Sequence, residues 1–173
     1  MRLRVEHDSS GMGNLCSVEP GNSSRSFSPR RARPEEARTI ADVWLRSRYA
    51  SIPAIPPPVH TDDEAREWFA SVLVSDCDLW VIAPDDRPVA LLVLEGDWIN
   101  QLYVDPPWIG QGLGSMLVDI AKELHSEHLD LWTFQSNTAA RRFYERHGFV
   151  AIEATTGQNE EHAPDVHYRW TNP

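Results

Sequence analysis

The sequence predicts a single α+β domain in which helices flank a mixed, mostly antiparallel central sheet. Three observations carry this expectation. Segments with apolar residues at helical spacing alternate with short strand-like runs in the order ααβββαβαββ. The first three strand-like runs are separated by turns short enough for antiparallel hairpins. The 173 residues suffice for one core that buries roughly two thirds of the surface an unfolded chain exposes. No internal repeat breaks the order.

The N-terminal stretch is polar and rich in Ser, Gly and Pro, as in Pro20-Gly21-Asn22-Ser23-Ser24. Such sequence cannot bury enough apolar area to offset its ordering entropy, so residues 1–25 are expected to form a flexible tail and residues 26–173 the domain. From Pro34, which suits a first helical turn, Ala37, Ile40, Ala41, Trp44 and Leu45 recur at helical spacing. Pro53, Pro56, Pro57 and Pro58 end that helix, because proline fixes φ and removes backbone donors. Thr61-Asp62-Asp63-Glu64 is a capping box, and a second helix follows with Ala65, Trp68, Phe69, Val72 and Leu73 on one face. Strands are expected over residues 79–83, 89–95 and 98–104. A glycine-rich loop then precedes a helix with Leu113, Met116, Leu117, Ile120, Ala121 and Leu124 as its apolar stripe. A strand over 129–134, a helix over 138–147 closed by Gly148, and strands near 149–153 and 166–170 complete the chain.

Charge and cysteine content exclude several classes. Sixteen basic and 26 acidic residues give a net charge of −10. The first 33 residues hold six arginines against Glu6, Asp8 and Glu19, which leaves −13 for the remainder. This balance argues against nucleic acid as a partner, since phosphate neutralisation needs clustered Lys and Arg. The longest purely apolar run, residues 89–94, is far below the roughly 20 needed to cross a bilayer. Arg2 and Arg4 are followed by no apolar stretch of the kind a secretory signal needs. Cys16 and Cys77 are too few for a disulfide framework and suit a reducing compartment. The expected location is the cytoplasm, with no membrane association.

The most informative segment is Val104-Asp105-Pro106-Pro107-Trp108-Ile109-Gly110-Gln111-Gly112-Leu113-Gly114, between a strand and an amphipathic helix. Glycines there let the backbone turn tightly and approach a ligand, and a helix start offers free N–H groups and partial positive charge to an anion. A Walker loop is excluded, because no Gly-Lys-Ser/Thr follows. A dinucleotide fingerprint lacks its ribose-binding acid, since the next strand ends in Thr133-Phe134-Gln135. An ordinary tight turn remains open.

A second block follows: Leu131-Trp132-Thr133-Phe134-Gln135-Ser136-Asn137-Thr138-Ala139-Ala140-Arg141-Arg142-Phe143-Tyr144-Glu145-Arg146-His147-Gly148-Phe149. With both blocks at this spacing, the chain over roughly residues 31–170 resembles the GCN5-related N-acetyltransferase (GNAT) family. The resemblance implies the GNAT fold, with its sheet split at the two central strands. It implies acetyl-CoA as acyl donor and direct transfer to a primary amine, without a covalent enzyme intermediate. Backbone groups of Leu102, Tyr103 and Val104 would pair with the pantetheine arm. Amides of Gly110, Gln111, Gly112, Leu113, Gly114 and Ser115 would hold the pyrophosphate. Asn137 would lie beside the pantetheine and also suits a helix N-cap. Tyr144 matches the general acid that protonates the departing thiolate.

Two departures from the family pattern stand out. Ile109 occupies a position where relatives commonly carry Gln or Arg. Trp98, Asn100 and Trp132 stand where relatives carry a titratable base, so a water-relayed base is expected, with Glu95, Asp97, Glu160, Glu161, His162, Asp165 and His167 as chemical candidates. No metal cluster is expected among the seven histidines, and His125 and His128 are placed on the outer part of a helix. The acceptor site would be framed by residues 52–60 and 155–165. The acidity of the second segment points to a small cationic amine, free or peptide-like, as acceptor. A non-catalytic acyl-CoA-binding module and a protein N-terminal acetyltransferase are the alternatives, and a homodimer is left open.

Overall fold

A computed structural model describes residues 27–72, 78–125 and 127–172. The tail expected over residues 1–25 lies outside them, as do Cys16 and Cys77. The elements are β1 (Pro29–Arg31), α1 (Ala37–Ala50), α2 (Asp62–Val72), β2 (Asp78–Ile82), β3 (Ala90–Glu95), β4 (Trp98–Val104), α3 (Leu113–Leu124), β5 (His128–Phe134), α4 (Thr138–Arg146), β6 (Val150–Ala154) and β7 (Asp165–Thr171). All expected helices and strands form, and His128 opens β5 rather than ending a helix. No helix among the described residues is long and apolar enough to cross a membrane.

Strand β1 is additional to the sequence expectation. Its three residues, Pro29-Arg30-Arg31, carry no alternating apolar pattern, and they become a strand by pairing with the free edge of β2. Proline is tolerated at such an edge because no ladder donor is needed there. Arg31 forms an ion pair with Asp78 and lies 4.9 Å above the Trp80 ring. The Glu36 carboxylate accepts from both Arg30 and the Arg33 backbone N–H, fastening the chain between β1 and α1.

The described strands form one sheet in the order β1-β2-β3-β4-β5-β7-β6. Every neighbouring pair is antiparallel except β4–β5. On one face, Ile40, Val43 and Phe69 of α1 and α2 pack on Leu79, Val81, Leu91 and Val93. On the other, Leu113, Leu117 and Tyr144 of α3 and α4 pack on Leu92, Leu129, Leu131 and Tyr168. Covered on both faces, β3 is buried from Ala90 to Leu94, which accounts for its unbroken apolar run. Helix α1 packs on β3 and β4. Farther along that face, β5 and β7 keep Trp132 and Arg169 exposed.

The parallel pair β4–β5 is joined at a single register position, Trp98 opposite Asp130, and the strands diverge beyond it. Asp130 fixes this point. Its N–H donates to Asp97 O at 2.9 Å, and its buried carboxylate accepts from Arg169 Nε and Nη2, both at 2.8 Å. His167 Nε2 lies 2.8 Å from the same carboxylate. Burial works against the charged form, but the bonds from Arg169 and His167 prevail and hold the Asp130 carboxyl below the usual carboxylate range. A depressed pKa contributes stability that is present above the unfolded-state value and lost as pH falls through the folded-state value. Asp130→Asn is therefore expected to cost about 2 kcal/mol at neutral pH. In chemical denaturation, that deficit relative to wild type should shrink below about pH 4.

Candidate functional site

The end of β4 is anchored to α1. Ser47 Oγ donates to Val104 O at 2.7 Å, and Arg46 donates to both oxygens of Asp105 at 2.9 and 2.7 Å. Pro106–Trp108 make one 3-10 turn, and the glycine loop follows. Gly110 and Gly112 have φ of 84° and 82°, the left-handed region that L side chains disfavour. Gly112 is the N-cap of α3 and supplies no side-chain cap. The first-turn N–H groups of Leu113, Gly114 and Ser115 therefore have neither intrahelical partners nor a capping oxygen from Gly112. Gly114 serves packing as well: a Cβ there would come within 3.2 Å of Phe143 Cζ, so glycine lets α3 approach α4. His147 completes this contact, its Nδ1 2.8 Å from Phe143 O and its Nε2 3.0 Å from Ser115 Oγ. In the neutral ring Nδ1–H donates and Nε2 accepts from the serine.

Two cavities meet where β4 and β5 diverge. The first, about 270 Å³, is lined by Leu102, Tyr103 and Val104 of β4, by Asn137 and Tyr144, and by Ile109 at the glycine loop. The structure thus brings together five of the expected cofactor-site and catalytic residues. Residues Gly110 to Ser115 are not part of that lining and adjoin it through Ile109. Asn137 takes both roles the sequence allowed: it lines the cavity, and its Oδ1 caps α4 by accepting from Ala140 N–H at 3.1 Å. Tyr144 is buried against Phe143 and Phe149 at ring separations of 5.2 and 5.6 Å. Burial, and secondarily Tyr103 beside it, push its phenol well above the ordinary tyrosine value.

The second cavity is larger, about 740 Å³. Its walls are aromatic, from Trp44, Trp68, Phe69 and Trp132, and its rim carries Glu160 and Glu161. The rim joins the two segments expected to frame an acceptor. His60 Nε2 lies 3.0 Å from Glu160 Oε2, and Arg48 Nη2 donates to Glu161 Oε1 at 2.9 Å. Arg48, Asn100, Tyr103, Trp132 and Phe134 line both cavities and form their junction. Burial raises the Tyr103 phenol, and the nearby Arg48 opposes that shift.

Of the expected base candidates, Glu160 and Glu161 line the second cavity and the others do not. Asp165 is bound by Thr155 and Asn159, Glu95 accepts from Asn100, and Asp97 lies beside His125 and His128. His167 is stacked between two indoles. His162 is exposed at a positive-φ corner.

Sequence reasoning missed Arg48. Its side chain is 6% exposed, and its guanidinium lies 5.4 Å from the Trp44 ring centre and 5.8 Å from that of Phe134 and bonds Glu161. The signal was present: Arg48 continues the buried stripe of α1 after Trp44 and Leu45, a position where the periodicity calls for an apolar residue.

Residues 40–149 match the sequence profile of the acetyltransferase (GNAT) family. The chain belongs to the GNAT acetyltransferases. A relative named peptidyl-lysine N-acetyltransferase YjaB, from Salmonella typhimurium, is 33% identical over 132 residues, covering 76% of this chain and 86% of the relative. The Escherichia coli protein of the same name is 30% identical over 135 residues, with 78% and 86% covered. The solution structure of apo YjaB from Escherichia coli superposes on this GNAT chain with a TM-score of 0.69 at 26% identity, covering 86% of this chain and 99% of that one.

In this GNAT domain the Arg48–Glu161 pair fastens the β6–β7 loop onto α1. Removing one partner strands a buried charge, whereas replacing both by apolar groups relieves it. Glu161→Ala should lower stability by about 2 kcal/mol. Adding Arg48→Met should restore more than half of that loss, as read by urea denaturation.

Proposed function

We propose that this acetyltransferase moves the acetyl group of acetyl-CoA onto the side-chain amine of a lysine, by direct attack. The observation that carries the proposal is the junction of two unlike cavities, one adjoining through Ile109 the loop into an uncapped helix start and the other walled by rings and rimmed by carboxylates.

The chain's residues suit the donor. The free edge of β4 beyond the single β4–β5 pairing lets Leu102, Tyr103 and Val104 bond an extended pantetheine arm as an added strand would. The amides of residues 110–115, at a helix start without a side-chain cap, suit a pyrophosphate. This matters for a domain of such acidity, which would repel polyanions through its overall field. Asn137 stands beside the pantetheine path. Acetyl-CoA supplies a thioester carbonyl open to attack. A β4 N–H facing that carbonyl stabilises the negative charge that develops on its oxygen. Tyr144, kept protonated by its burial, then delivers a proton to the leaving sulfur.

The acceptor enters through the second cavity. Glu160 draws a cation to the rim, Glu161 being matched to Arg48, and the aromatic walls accommodate the aliphatic stem of a lysine. An ammonium must lose a proton before it can attack. Among the described residues at the junction there is no carboxylate or imidazole, so the proton leaves through water toward Glu160 at the rim. A small cationic amine satisfies the same chemistry. The names of the YjaB relatives favour a lysine carried on a protein. They give no support to a module that binds acyl-CoA without turnover.

The test is CoA release from acetyl-CoA with a panel of amines. A short lysine amide and polyamines should exceed an anionic amine in kcat/KM by at least tenfold. Tyr144→Phe should lower kcat by about 100-fold while acetyl-CoA binding stays within twofold. With the phenol pKa raised, the wild-type kcat should show no alkaline loss from Tyr144 up to pH 9. Full activity of Tyr144→Phe would remove the phenol from the mechanism, and activity confined to α-amines of peptides would mark an N-terminal acetyltransferase.

A further inference from the structure

The open sheet face beside the acceptor cavity carries an unusual arrangement of rings. His167 of β7 is stacked between Trp98 of β4, at 5.0 Å and 21°, and Trp132 of β5, at 4.8 Å and 28°. Asp130 lies beneath and fixes the histidine through Nε2 at 2.8 Å. Trp132 is also a wall of the acceptor cavity, so the stack continues that cavity outward along the sheet. Trp98 and Trp132 are 38% and 41% exposed. That is a large apolar area to leave open to water, and exposed patches of this kind mark interaction sites.

Charge on the same face identifies the partner. Residues directly opposite in an antiparallel pair share a face. Glu95 is opposite Trp98 and Glu153 is opposite His167, so both carboxylates flank the stack, and both are exposed. Glu160 continues the acidic margin at the cavity rim. The one arginine among the rings, Arg169, is neutralised by its bidentate bond to Asp130. Exposed indoles bordered by carboxylates favour cationic side chains, which stack on the rings and pair with the acids.

We propose that the Trp98–His167–Trp132 stack is a docking surface for a basic polypeptide segment carrying the acceptor lysine. The proposal rests on the lysine reading above and adds what selects the lysine. The three rings span about 10 Å, the reach of about three residues of extended chain. Arginine or lysine residues within about three positions of the acceptor, on one side of it, lie over the indoles. Trp98 touches neither cavity, so it contributes to peptide binding without entering the chemistry.

Kinetics with two acceptors test this. One is a short lysine amide, and the other is a twelve-residue peptide in which arginines flank a single lysine. In Trp98→Ala, KM for the basic peptide should rise about tenfold, with kcat, KM for the lysine amide and KM for acetyl-CoA unchanged. Glu153→Lys, an exposed change with no packing cost, should raise the peptide KM by at least threefold. An equal KM change for both acceptors, or none for the peptide, overturns the proposal. A binding measurement separates it from the catalytic reading: the same peptide with glutamine in place of lysine, followed by tryptophan fluorescence, should bind wild type about tenfold tighter than Trp98→Ala. Binding without turnover of any lysine would sink the lysine reading and leave the docking surface standing. Turnover of the lysine amide with no such binding would do the reverse. A dimer in light scattering that Trp98→Ala converts to monomer would assign the face to a second copy of the chain and overturn the proposal.

Discussion

Strands β4 and β5 share one pairing, Trp98 opposite Asp130, and the structure on both sides depends on where that pairing stops. A sheet that continued would satisfy the β4 edge internally and leave no room between the strands. Because it splits, the edge groups of Leu102 to Val104 have no β5 partner, and two cavities meet in the gap. Asp130 holds the hinge of the split, bound to β4 through Asp97 and to β7 through Arg169 and His167. Ser47 and Arg46 hold the far end of β4 against α1, so the gap is kept open by attachments at both ends.

Electrostatics divide the site into two halves. Beside the first cavity the glycine loop leads into an uncapped helix start, whose backbone dipoles act at short range whatever the net charge. The rim of the second cavity instead carries side-chain carboxylates, whose field reaches farther into solvent. At the junction, Arg48 is buried against rings and matched to Glu161, so the positive charge in the centre is compensated and holds the loops in place. The phenols of Tyr103 and Tyr144 both line the first cavity, and burial raises both above the ordinary tyrosine value.

Much of this was legible in the amino-acid order. The helical stripes of α1 to α4, the capping box before α2, the N-cap Asn137 and the glycine loop each depend on residues within a few positions of one another, so local spacing reveals them. Strand β1 was hidden because it borrows its conformation from the edge of β2, and a three-residue segment with two arginines has no pattern of its own. Arg48 was hidden for a related reason: as an exception on an apolar stripe it reads as noise until Glu161, 113 residues away, is placed beside it.

The sequence by itself determined the order of elements, the α+β class, the glycine loop before α3 and the family, because these rest on local propensities and on motifs a few residues long. Tertiary structure decided which side chains share a cavity. Trp44, Trp68, Trp132 and the 160–161 glutamates come from segments up to 117 residues apart, and only the packing of α1, α2 and the β6–β7 loop over the split sheet makes them one site. It also decided that three rings from β4, β5 and β7 stack on one open face. Spacing along a chain encodes which face of an element a residue occupies. Which faces meet is settled by burial and pairing across the whole fold.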